Sequence, residues 1–204
     1  MFRLITLIQT GGWMMIPILL ASVVTVALIF ECAWTLGKSR KRFEAFLMNP
    51  QGFQPINPGE RPDPVSTLIA YRLANPRSSA EEVRAYSEVA FGPVDRKVGW
   101  LQVLAAIAPL LGLLGTVSGM IQNFGLVAST RPTNPLAQLS AGISEALVAT
   151  AGGLLVAVVA ALGHHWLSNR ADALLLSAQG AVTGHEPERP TKPRRSIEEA
   201  NFGS

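Results

Sequence analysis

The sequence predicts an all-α integral membrane protein with three transmembrane helices and helical extensions on the cytoplasmic side. Three observations carry this reading. Gly99 to Thr130 holds no Asp, Glu, Lys or Arg, Pro132 to Asn169 holds only Glu145, and Trp13 to Trp34 holds only Glu31. Each run exceeds the ~20 apolar residues that cross a hydrocarbon layer. A soluble core helix of that length would show polar residues on its outer face at a period of ~3.6, and these runs show almost none. Lys and Arg are also uneven: one precedes the first span (Arg3), ten lie in 35–98, one is Arg131, and five follow Leu167. The bias places both basic regions in the cytoplasm and the N-terminus and the Arg131 turn outside.

Taken in order, the chain divides into an N-terminal segment with the first transmembrane helix (1–34), a cytoplasmic region (35–98), a second transmembrane helix (99–127), an outer turn (128–136), a third transmembrane helix with a cytoplasmic extension (137–183) and a tail (184–204). Trp13 and Trp34 bracket the first span, where amphipathic rings favour the interface. One basic residue precedes that span and a basic cluster follows it, so it reads as a retained helix rather than a signal peptide. Its helix is expected to continue to Met48. Asn49 to Pro64 then carries five prolines and two glycines and reads as a loop.

Asp63 before Pro64 is a cap followed by a first-turn proline, and Asn75 before Pro76 is a stop. A short helix lies between them. Ser79 and Glu82 have capping-box spacing, and a helix starting there should feed the second span, with a kink or break at Gly92 and Pro93. The third span begins near Leu136 and its helix is expected to reach about Ala181. Proline and charge after Gly184 predict a disordered tail.

The pI near 9.4 reports membrane topology. Its basic cluster Lys38, Arg40, Lys41 and Arg42 sits at a membrane exit, so nucleic acid is not an expected partner and the lipid bilayer is. Cys32 is single and reads as a small packing residue. No phosphate loop, H-E-x-x-H, G-x-S-x-G or clustered metal-ligand pattern is present, so neither an enzyme nor a cofactor or metal is expected. His164 and His165, about 100° apart on a helix, read as interface residues.

Small residues concentrate where the later spans would meet: Gly112, Gly115, Ser118 and Gly119 in one, Ala141, Gly142, Ala146, Ala149, Gly152 and Gly153 in the other. Hydrocarbon supplies no hydrophobic drive between helices, so close backbone approach is what holds them. Glu145 lies about nine residues, roughly 13 Å, inside its helix. A carboxylate at that depth is costly and must face protein or water, which marks it as an ion-pathway candidate. Thr116 and Thr150 lie near it in depth, though either hydroxyl can equally bond a carbonyl of its own helix. Glu31, near the cytoplasmic end of the first span, is expected to snorkel or to pair with Lys38 or a nearby Arg.

The stretches LLGLLGTVSGMI (Leu110 to Ile121) and GISEALVATAGGLLVAVVA (Gly142 to Ala160) resemble the ExbB, TolQ and MotA proton-channel family. The resemblance implies a pentameric ring in the bacterial inner membrane, N-terminus periplasmic and C-terminus cytoplasmic. The ring would surround a single-span partner resembling ExbD or TolR and drive a TonB- or TolA-like periplasmic transducer with the proton motive force. It further implies that Thr116, Glu145 and Thr150 line the proton pathway. Glu145 and Thr150 stand five residues apart, a turn of about 140°, so they do not share one narrow face. A TolQ-type subunit of the Tol-Pal system and a non-conducting membrane scaffold are the alternatives. The flagellar branch is disfavoured, since it has four spans.

Overall fold

A computed structural model describes residues 13–50, 52–53, 63–130 and 132–184. Among these residues the chain forms four helices: α1 (Met15–Met48), α2 (Pro64–Ala74), α3 (Ala80–Thr130) and α4 (Pro135–Thr183). The protein is therefore all-helical, and α1, α3 and α4 are each long and apolar enough to cross a membrane. The expected tail lies outside the described residues, as do the N-terminal segment before Trp13 and most of the proline-rich loop.

The local signals act as elementary chemistry requires. Asp63 caps α2, accepting from the Ser66 backbone N–H at 3.1 Å, with Pro64 in the first turn. Ser79 and Glu82 exchange the two bonds of a capping box, 3.2 Å from the Glu82 N–H to the Ser79 hydroxyl and 2.9 Å from the Ser79 N–H to the Glu82 carboxylate. Asn134 caps α4 by accepting from the Ala137 N–H, and Gly184 ends it at φ 71°. That end is Thr183, slightly past the expected Ala181.

Of the kink or break expected at Gly92 and Pro93, the break does not occur, for α3 runs through both as one helix of 51 residues. Pro93 deprives the Val89 carbonyl of its donor. Val89 is 71% exposed, so solvent can take that donor's place, while Phe91, Val94 and Val98 anchor the opposite face in the core. At ~1.5 Å per residue α3 is roughly 75 Å long, well over twice the ~30 Å of hydrocarbon. The molecule therefore has a membrane part, ending at the α3–α4 turn, and an extension at the other end.

The two parts are packed differently. The extension has a core of large side chains, including Val65, Leu68, Ile69, Phe91, Leu167 and Leu174, with Cys32 buried among them. A buried ion pair ties α1 to α2: Arg42 Nε lies 3.4 Å from Asp63 Oδ2, and the Ser66 hydroxyl donates to that oxygen at 2.7 Å. In the membrane part the arrangement is inverted. Leu110, Leu114, Leu147, Leu154 and Leu155 stand exposed, as lipid-facing side chains do, and the buried positions belong mostly to Ala and Gly.

The antiparallel contact of α3 and α4 is the closest in the molecule. A Cβ on Gly153 would stand 2.5 Å from the Ala108 carbonyl oxygen, and one on Gly112 would stand 2.9 Å from Thr150 Cα. Here two backbones touch, which gives dispersion contacts that no larger residue permits. Further along, Gly115 meets Ala149, Gly119 meets Ala146, and the Asn123 amide fills the space over Gly142. Ser118, Ala141 and Gly152 fall outside this seam.

Gly153→Ala forces the backbones apart and is expected to destabilise the folded protein by about 1–3 kcal/mol. Gly125→Ala, with nothing within 4 Å of the new methyl, should be neutral or slightly stabilising. Thermal unfolding of both variants in detergent checks the contrast.

Candidate functional site in the membrane part

The seam fixes which side of the α3–α4 pair each polar residue occupies. On α4, Gly152 is turned toward Met15 and Ile18 of α1, while Gly142, Ala146, Ala149 and Gly153 face α3. Glu145 precedes Gly152 by seven residues, nearly two whole turns, so it lies on the α1 side. Thr150 follows Ala146 by four and stands about 40° further from α1. On α3, Gly115 touches Met14 as well as Ala149. Ser118 and Gln122 follow Gly115 by three and seven residues and stay on that α1 side. Thr116 follows Gly112 by four and lies on the far side.

Thr116 and Thr150 thus share one edge of the helix pair, and Glu145 lies on the other. The Thr150 hydroxyl reaches across the seam and donates to the Gly112 carbonyl at 2.9 Å, so it is not spent on its own helix. Thr116 does bond locally, to Leu113 O at 2.7 Å. Glu145 is half-buried and has no hydrogen-bond or ion-pair partner among the described residues. Level with it on the α1 side, the Gln122 amide donates to the Ser118 hydroxyl at 3.1 Å.

Ser118 and Gln122 were not apparent as site residues from the sequence. Their signal was present, two polar side chains four apart in a charge-free span, but composition alone did not say which side of the seam they take. Glu31 pairs with Lys97 of α3 rather than with Lys38 or a nearby Arg, joining α1 and α3 where the membrane part meets the extension. Both side chains are about half exposed, so the bond orients the helices more than it stabilises them. The His164 Nδ1–H donates to the Val98 carbonyl at 3.0 Å and makes a second tie at that level, between α4 and α3.

Other features lie away from the seam. An apolar groove of about 1050 Å³ between α1 and α4 lies toward the extension, lined by Leu36, Phe43, Leu162 and Trp166 among others, and Arg170 stacks on that Trp at 4.3 Å. Among the described residues no His, Cys, Asp and Glu cluster could hold a metal ion. In the extension, partial burial and then the nearby Asp172 charge push the Asp95 carboxyl above its usual range, although Asp95 remains largely exposed.

Residues 64–179 match the MotA/TolQ/ExbB proton channel family, and the chain belongs to that family. It is 29% identical to an ExbB-like biopolymer transport protein of Synechocystis over 78% of this chain and 68% of the relative. It is 48% identical to the biopolymer transport protein ExbB of Salmonella typhimurium over 62 residues, 30% of this chain and 25% of that protein. Over 81 residues, 40% of this chain and 35% of the relative, it is 35% identical to the Tol-Pal system protein TolQ of Haemophilus influenzae. The family is of the transport type, and the protein is a multi-pass membrane protein of the proton-channel class.

A group whose pKa is raised on folding contributes stability below its unfolded pKa and loses that contribution as pH rises through the folded value. Asp95→Asn is accordingly expected to raise the melting temperature at pH 7, with the gain vanishing below about pH 4. Melts of the two proteins across pH check the sign.

Proposed function

We propose that this protein is the channel subunit of an inner-membrane proton-driven motor that works with a single-span, ExbD- or TolR-like partner. The pair couples the proton motive force to a TonB-like periplasmic transducer for uptake across the outer membrane. The observation that carries the reading is the pair of hydroxyls, Thr116 and Thr150, on one edge of a tightly packed helix pair whose membrane part bears a single carboxylate, Glu145. The ExbB-type role is the first reading and a TolQ-type subunit of the Tol-Pal system the second; local identity to both kinds of relative, 48% over 62 residues and 35% over 81, supports the shared channel role.

In this reading five copies surround the partner, with N-termini in the periplasm and C-termini in the cytoplasm. A membrane carboxylate of the partner carries the proton. Deprotonated, it is held at polar stations; protonated, it is free to pass the apolar wall between them. Thr116 and Thr150 are the stations on this chain, each hydroxyl turning from the carbonyl it bonds, Leu113 and Gly112, to donate to the carboxylate, and Glu145 serves the proton's path. One charge crossing 100 mV releases ~2.3 kcal/mol, enough to break the one or two hydrogen bonds that hold a station. The seam lets the stations stay fixed while the partner moves.

Proton flux into liposomes tests this, with the partner present and absent. Flux should require the partner and should fall strongly in Thr116→Val and Glu145→Gln, while both variants still assemble. Unchanged flux in both variants would remove these residues from the pathway. An assembled complex that never conducts, even with its periplasmic target engaged, would favour a scaffold.

A further inference from the structure

We infer that Glu145, Ser118 and Gln122 form a proton-exchange site on the α1 side of the α3–α4 pair, separate from the edge that carries Thr116 and Thr150. The inference rests on the proposed function for the proton's direction, but its geometry comes from the seam and the place where α1 packs beside it.

Gly119 meets Ala146 across the seam, and a Cβ there would stand 3.2 Å from the Ala146 methyl. Glu145 is next to Ala146, and Ser118 and Gln122 flank that level on α3. The carboxyl of one helix and the hydroxyl–amide pair of the other therefore stand on the same side at the same depth. Met14, the N-cap of α1, meets α3 at the level of Gly115. Ser118 and Gln122 lie roughly 4.5 and 10 Å nearer the turn end.

Polar groups at this depth must be matched. Gln122 is exposed and Ser118 half-buried, and their mutual bond leaves the amide oxygen and one amide hydrogen unused. Bare amide in hydrocarbon costs several kcal/mol, so this side faces water or another polar group and not lipid tails. A carboxyl beside a hydroxyl and an amide, each able to donate and accept, is a chemistry for a hydrogen-bonded water or hydronium. Among the described residues no fixed charge competes for Glu145. The described α3 has no charged residue after Lys97, the described α1 has none before Glu31, and α4 has no other before Arg170.

The division of labour follows. Glu145 takes a proton from the turn side with Ser118 and Gln122 holding the water that delivers it, and the hydroxyl edge handles the partner. The Gly112–Gly153 contact separates the two edges, so the proton passes between subunits or along the turn end and not through the seam.

Infrared titration of the full chain in lipid reads the carboxylic acid C=O band that Glu145→Gln abolishes. Ser118→Ala and Gln122→Leu should each move its frequency and its titration midpoint, and Thr116→Val should move neither. In liposomes with the partner, the first two variants should lower flux about tenfold at low proton concentration on the turn side, with recovery on acidification. Thr116→Val should lower it at every pH. An unmoved band overturns the site; so does a moved band with native proton dependence, which would make the trio a packing contact. A native complex without flux would instead refute the proposed function, while the infrared result would still decide whether the trio is one site.

Discussion

The contact of the α3 and α4 backbones at Gly112 and Gly153 is the constraint on which the membrane part depends. With a Cβ at either position, an atom would stand within 3 Å of the facing backbone. Because both are glycine, the helices close to contact and set the register of every pair beyond, Gly115 with Ala149 and Gly119 with Ala146. That register levels Glu145 with Ser118 and Gln122, and it brings the Thr150 hydroxyl to the Gly112 carbonyl. A side chain at the crossing would add bulk and also rotate the polar residues out of alignment.

The extension depends on a different force. Its large buried side chains, its buried Arg42–Asp63 pair and its reciprocal caps are the devices of a water-soluble helical bundle. The change from one regime to the other falls near Glu31, Lys97, Val98 and His164, where polar ties bridge the three long helices. Side chains that would be expensive deeper in the membrane serve there as alignment pins. Helices α1, α3 and α4 cross that boundary without interruption, so the position of a station in the membrane is tied to the packing of Phe91 and Leu167 outside it.

Much of this could be read from the sequence, because it depends on residues near one another in the chain. The spans follow from charge-free length, the α2 start from Asp63 and Pro64, the α3 start from Ser79 and Glu82, and the seam from recurring Gly and Ala. What could not be read depends on a third element. Glu31 and Lys97 are 66 positions apart, and nothing local says they meet. Pro93 pointed to a kink or a break, since pattern alone does not show that the freed carbonyl faces solvent. The sides taken by Thr116 and Glu145 became definite only once Met14, Met15 and Ile18 showed where α1 packs.

The inverted packing of the two parts has a thermodynamic consequence. Burial of large apolar groups in water weakens on cooling and in urea, whereas dispersion between backbones in a lipid-like medium has no water to lose. One unbroken helix, α3, thus belongs to two stability regimes. Urea or cold should loosen α2 and the far ends of α3 and α4 while the glycine seam holds. Hydrogen exchange along that single helix would then record two melting curves, with their boundary near Val98.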